Sequence, residues 1–308
     1  MSAVSASGAD RVAGSKFIDP TVLARIGNLG LLAKVVVQGF MNGIHRAMYI
    51  GASTEFAEHR SYTAGDDVRH VDWKLFGRTD RLYLKQFEAE ANADLMLALD
   101  ISGSMNFGSD GVSKFDYGRF VMASLAWLAR SQRDRVGLAL LDSDVQRYRA
   151  PSGGEQAAFN HTLERATAEG AGDVVSGINA LATRLTRRAI VVVVSDFYAP
   201  LSDTVQALDE LRARGHEVIA VHVLDGNERT LDVGNAPVLE DMESGARMPV
   251  AAERIREQYT AVLNAHIDGL RSQLGARRMD YVLADTRVPL DAVLFGYLTA
   301  RARQSTTR

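Results

Sequence analysis

Three observations predict an α/β protein built on a doubly wound, mostly parallel sheet. Two short runs, Leu95–Leu99 and Ile190–Val194, are wholly apolar, as strands buried on both faces are. Each stops at a polar cluster: Asp100-Ile-Ser102-Gly-Ser104 closes the first and Ser195-Asp196 the second. From residue 93 onward such runs alternate with segments of helical period, the pattern of strands joined by crossover helices.

Taken in order, the small and polar residues 1–16 lack an apolar core, so they predict a disordered tail rather than a secretory signal, with folding starting near Phe17. Ile26, Leu29, Ala33, Val36 and Phe40 step by three and four, one apolar face of a helix. Lys34, Gln38 and Asn42 interrupt the apolar stretch Leu29–Ile44, which falls short of the roughly 20 residues a spanning helix needs. Residues 51–90 mix charges, aromatics and turn signals. Arg81–Phe87, alternating in period two, reads there as a half-buried strand, and the segment as a whole as an irregular subdomain with strands placed before the sheet.

The alternation then runs strand 95–100, helix 114–132, strand 136–141, strand 145–149, helix 155–166, helix 174–185, strand 190–195, helix 203–214 and strand 218–224. Ser113 with Asp116 has the form of a capping box, which fixes the start of the first of these helices. Asp142-Ser-Asp144 is too short a link for a crossover, so 145–149 is an antiparallel edge strand. Periodicity lapses over 225–250, where Gly226, Gly234, Pro237 and Gly245 mark a loop with one hairpin around Pro237–Val250. Helix 252–274, strand 279–283 and a closing helix 290–303 complete the pattern. The expected organisation is a tail (1–16), a helix with a charged, aromatic subdomain (17–90), the α/β domain (91–303, with 225–250 as an insertion) and a short tail (304–308).

Composition narrows the function. At 308 residues, 46% hydrophobic and 24% charged, the chain has the make-up of a globular protein, and a formal charge of -3 gives no global field for nucleic acid or acidic lipid. With no cysteine, disulfides, thiolate zinc sites and a cysteine nucleophile are excluded, and a reducing cytoplasm fits. Residues 51–90 interleave aromatics with basic groups, yet six positive charges face eight negative ones there. A groove for phosphates is not built that way.

The two strand ends are the candidate site. Magnesium takes oxygen ligands in near-octahedral geometry and keeps several waters, so two hydroxyls, two carboxylates and water suit it. Asp100, Ser102 and Ser104 can face one concavity if Gly103 lets the loop curl, and Asp196 approaches from the neighbouring strand where strand order reverses. The plainer alternative is that the serines satisfy backbone groups in a turn. The combination of two strand ends, rather than the short motif, favours the metal.

These residues resemble the von Willebrand factor A domain and its metal-ion-dependent adhesion site. Asp100, Ser102, Ser104 and Asp196 match its positions, while the usual threonine is replaced by Gly172 beside Asp173. The resemblance implies bound Mg2+ or Mn2+, with either Asp173 or water in the threonine's place. Upstream, Arg60, Tyr62, Gly65, Asp66, Asp67, Arg69, Asp72, Trp73 and Arg78 look like the signature of bacterial domain-of-unknown-function family 58, in its short form without membrane helices. Members carry a von Willebrand A-like region and are typically encoded beside MoxR-type AAA ATPases, which implies such an ATPase or its client as partner. Packing is the favoured role of the signature residues, with a docking surface as the second.

An enzyme is the minority reading. No phosphate-cradling Gly-x-x-x-x-Gly-Lys, His-Glu-x-x-His or Gly-x-Ser-x-Gly run is present, and the seven histidines are scattered. The sequence thus favours a non-catalytic binding module, with a metal-free scaffold or a metal-dependent phosphoester hydrolase as alternatives.

Overall fold

The computed structural model describes residues 19–51, 59–61, 83–85, 93–169, 172–232, 238–240, 247–249 and 252–306. The elements are α1 (Pro20–Leu23), α2 (Leu29–Gly51), β1 (His59–Ser61), β2 (Tyr83–Lys85), β3 (Asp94–Asp100), α3 (Lys114–Ser131), β4 (Arg135–Leu141), β5 (Val145–Ser152), α4 (Gln156–Glu164) and α5 (Val174–Arg184). There follow β6 (Ile190–Ser195), α6 (Leu201–Ala213), β7 (Glu217–Leu224), α7 (Gly226–Thr230), β8 (Val238–Glu240), β9 (Arg247–Pro249), α8 (Ala252–Ala276), β10 (Asp280–Asp285) and α9 (Asp291–Thr306).

The chain divides into two units, one spanning Ile44–Ala91 and the other taking the residues before it together with Asn92 onward. In the smaller unit β1 and β2 pair antiparallel, His59 opposite Lys85 and Ser61 opposite Tyr83. The strand expected from the period-two run Arg81–Phe87 is therefore β2, at its centre.

The larger unit holds a six-stranded sheet in the order β10-β7-β6-β3-β4-β5. All neighbours are parallel except β5, which runs back along β4 as the three-residue link Asp142–Asp144 requires. Sequence order reverses at β3: the chain first steps outward to β4, then returns to place β6 on the other side. That is the doubly wound arrangement of von Willebrand A-like proteins, and its crevice opens beyond the carboxyl ends of β3 and β6.

Every residue of β3 and β6 is buried, which explains their unbroken apolar runs. On one face Met96, Ala98, Val191 and Val193 pack against Ile178 and Leu181 of α5, Val205 and Leu208 of α6, and Leu270 and Leu274 of α8. On the other face lies α3, brought close by Gly118, where an added Cβ would stand 2.7 Å from Leu99 Cδ1. The start of α3 is fixed by the expected capping box: Ser113 Oγ accepts from the Asp116 N–H at 3.0 Å. At its far end Tyr297 of α9 donates to Asp134 at 2.6 Å, tying the closing helix to the α3–β4 turn.

Differences from the sequence reading are local. The hairpin appears as β8 and β9, with Val238 opposite Pro249. Helix α7, however, interrupts what the sequence suggests is a loop: Asp225 and Glu228 form a second capping box. Strand β10 extends to Asp285 because its register with β7 continues to Leu224. No described helix is long and apolar enough to cross a membrane.

Candidate functional site

Beyond β3 the chain curls at once into a single 3-10 turn, Gly103–Asn106, which folds the two serines back over the strand end. Ser102 Oγ and Ser104 Oγ come within 3.1 Å of one another. Below them the Asp100 carboxylate, 1% exposed, accepts from the Ser102 N–H at 2.9 Å and from Ser195 Oγ at 2.6 Å. Ser195 Oγ in turn accepts from the Phe197 N–H at 2.9 Å, so the two strand ends are locked through one hydroxyl. Phe197 holds a left-handed φ of 46°, strained backbone immediately after Asp196.

Asp196 is 3% exposed and faces a residue that sequence reasoning missed. Lys114, wholly buried at the first turn of α3, donates to Asp196 Oδ2 at 2.8 Å and to Glu228 Oε1 at 2.9 Å. Its ammonium also lies 4.8 Å from the centre of the Tyr198 ring. Burial alone would lower the Lys114 pKa, but Asp196 and Glu228 outweigh it and hold the group above its ordinary value. The ammonium is thus a resident cation. One sequence signal pointed to it: a lysine in the first turn of a helix opposes the macrodipole unless anions wait there.

Glu228 uses both oxygens, Oε2 accepting from the Asp225 N–H at 3.2 Å while Oε1 takes Lys114. Asp225, at the end of β7 and fully buried, accepts from Ser109 N at 3.1 Å, Ser109 Oγ at 2.7 Å, Asn227 N at 2.9 Å and Thr286 Oγ1 at 3.1 Å. Burial pushes its pKa up, but these donors outweigh that and lower it. Asp225 therefore pins the loops after β3, β7 and β10 into one rim.

Lys114 pairs with Asp196 and Glu228, whereas buried Asp100 has no ion pair among the described residues and stands beside the charge of Asp196. The strain falls on Asp100, whose pKa burial and the charge of Asp196 raise to about 7. A divalent cation would relieve it. The two serine oxygens, hydrogen-bonded at 3.1 Å, have a spacing near the edge of about 2.9 Å of an octahedron with bonds of about 2.0–2.1 Å. Among the described residues no cluster of three or more His, Cys, Asp or Glu could hold a metal, so any such site here draws on hydroxyls.

The structure brings together Asp100, Ser102 and Ser104, and brings Asp196 close enough to perturb Asp100. It places Asp173 differently: this exposed residue caps α5, its Oδ1 accepting from Ser176 N at 3.0 Å. Asp142 Oδ1 holds the adjacent Gly172 N–H at 3.1 Å. Of the upstream signature, Arg60 falls in β1, while Tyr62, Gly65, Asp66, Asp67, Arg69, Asp72, Trp73 and Arg78 lie outside the described residues.

Strand order and strand-end chemistry define the class, a von Willebrand A-like α/β protein. The chain belongs to the family described as protein of unknown function DUF58, whose model matches residues 58–268. The uncharacterized protein Rv1480 of Mycobacterium tuberculosis is 32% identical over 258 residues, 80% of each chain. A second uncharacterized protein, MAV169 of Mycobacterium avium, is 34% identical over 107 residues, 34% of this chain and 62% of that one. Among solved structures, the conserved hypothetical protein BatB from Bacteroides thetaiotaomicron matches at a TM-score of 0.44 and 16% identity, covering 70% of this chain and all of that one. The SpRpn10 VWA domain matches at 0.38 and 12%, covering 67% and 94%. The fold assignment rests on the strand order of this sheet.

Proposed function

We propose that the protein is a non-catalytic interaction module that docks a partner through Mg2+ or Mn2+ held by Asp100, Ser102, Ser104 and Asp196. Water takes the place of the absent threonine, since Asp173 is engaged as a helix cap. The observation that carries this reading is the pair of serine oxygens 3.1 Å apart above a buried aspartate whose charge lacks compensation. When bound, the ion supplies an electrophilic centre that a partner's carboxylate can complete. The chain's own residues orient it: Ser195 fixes Asp100, and Lys114 fixes Asp196. Family resemblance supplies the partner, a MoxR-type AAA ATPase or its client, in a cytoplasmic assembly or maturation system.

The test is capture of a purified MoxR-type ATPase by the full chain with Mg2+ and with chelator. Capture that is lost in chelator and in Asp100→Ala supports the reading. Equal capture in all arms refutes the metal bridge and leaves a metal-free scaffold. Metal-dependent phosphoester turnover that disappears in Asp100→Ala would make the protein a hydrolase instead.

A further inference from the structure

Away from the strand-end crevice, an open surface concavity of about 500 Å³ lies between the edge strand β5 and helix α4. Its floor is Leu138 and Leu140 of β4. Their register partners in β5 are Arg149 and Arg147, so both arginines emerge on the same face of the sheet as the floor. From the other side α4 and its C-terminal cap contribute His161, Thr162 and Arg165. Three guanidiniums and an imidazole thus line one concavity, and among the described residues no carboxylate lines it.

Arginines close together are usually laced with acids, and several elsewhere in this chain are. Arg119, Arg135, Arg184, Arg188, Arg212 and Arg214 each hold an Asp or Glu. Arg147, Arg149 and Arg165 have no ion pair or side-chain hydrogen bond among the described residues. A fourth guanidinium, Arg130 of α3, stands near enough to Arg149 that burial and this like charge lower its pKa, and its Nε is buried without a hydrogen-bond partner among the described residues. His161 and Arg165 complement the carboxyl end of α4. Arg147 and Arg149 come from a strand and serve no such purpose.

Unpaired guanidinium forks bind planar or tetrahedral oxyanions through paired N–H donors, and several forks on one pocket call for a ligand with several negative charges. The volume lies in the range of small-molecule sites, larger than a single oxyanion needs. From this juxtaposition we infer that the pocket between β5 and α4 binds a small polyphosphate-bearing ligand, held by Arg147, Arg149 and Arg165 with Thr162 as a hydroxyl partner.

The experiment is calorimetric titration of the full chain with inorganic pyrophosphate and with ATP, in chelator so that the strand-end site takes no part, and with sulfate at matched ionic strength. Saturable binding of pyrophosphate or ATP is expected, at least tenfold weaker in Arg147→Gln and in Arg165→Gln. Tighter ATP binding would add a nucleoside contact, and equal binding would place recognition in the phosphates alone. Each variant is checked for an unchanged melting temperature, and Arg149→Lys, which keeps the charge but not the fork, gives a second reading through partial loss. Absence of saturable binding overturns the inference, as do affinities unmoved by the substitutions or matched by sulfate. A hexaglutamate peptide that binds more tightly than pyrophosphate would also overturn it, making the surface one for acidic protein segments.

Discussion

Replacing Lys114 by Met keeps the length and apolar stem of the side chain and removes only the ammonium. Two charge-assisted hydrogen bonds disappear, to Asp196 at 2.8 Å and to Glu228 at 2.9 Å. Asp196 is left with 3% of its surface exposed and no resident counter-ion, while Glu228 has 14% of its side chain in solvent. Breaking a buried pair from one side costs about 3–5 kcal/mol, because the remaining charge stays desolvated. In a unit of about 260 residues that corresponds to a fall in Tm of roughly 6–20 °C, read by circular dichroism in chelator. A second substitution sharpens the attribution: Glu228→Gln in the Lys114→Met background removes one stranded charge, so the double variant should lose less than the two single losses added together. The same loss of a positive charge should tighten Mn2+ or Mg2+ binding in Lys114→Met, seen as a larger stabilisation by the ion than in the wild type. A fall in Tm of under about 3 °C in the single variant would refute the role of Lys114 as internal counter-ion, and additive losses would refute its coupling to Glu228.

The Asp100 pKa, raised by burial and Asp196 from 3.8 to about 7, makes a signed prediction. Between those values the folded state keeps a proton that the unfolded state has released, so this contribution to stability is present below pH about 4 and is lost as pH rises through 7. In chelator, the stability difference between wild type and Asp100→Asn should change by a few kcal/mol across that window in denaturant titrations, and a pH-independent difference would contradict it. Gly177→Ala would place a Cβ 2.4 Å from the Asp142 carbonyl oxygen, forcing α5 away from the end of β4 at a cost of about 1–3 kcal/mol. A loss under about 0.5 kcal/mol in chemical unfolding would show that the close approach does not matter. Asp225→Ala strips an acceptor from four donors in the rim and should cost about 3 kcal/mol while speeding amide exchange at Ser109 and Asn227. Unchanged exchange at those two amides would refute its pinning role.

Much of the fold was legible because local chemistry determines it. Full burial made β3 and β6 unbroken apolar runs, Ser113 and Asp116 announced α3, and the length of the Asp142–Asp144 link alone made β5 antiparallel. The same logic applied to Asp225-Gly-Asn-Glu228, but the adjacent glycine reads as a turn and the helix it caps has only five residues. At the site, Asp100, Ser102 and Ser104 are neighbours in sequence and showed themselves as a motif. Lys114 did not, because its partners are 82 and 114 residues away and only the sheet order brings them together. Asp173 illustrates the converse: it stands where a ligand is sought, yet the start of α5 supplies a nearer demand for its carboxylate.

Lys114 also bears on why a hydroxyl-rich site would suit docking. An ion facing two free carboxylates would have its charge largely cancelled and would attract a third carboxylate weakly. Here Asp196 shares its Oδ2 with an ammonium, and Asp100 is already hydrogen-bonded through both oxygens. Neither carboxylate donates its full charge, and Ser102 and Ser104 add none. On the proposed reading, a divalent ion in this crevice therefore keeps most of its positive charge, and the partner's carboxylate is the ligand best able to neutralise it. Lys114 thus weakens resident ion binding while strengthening the pull on a partner, so affinity for the ion and affinity for the partner should move in opposite directions when Lys114 is replaced.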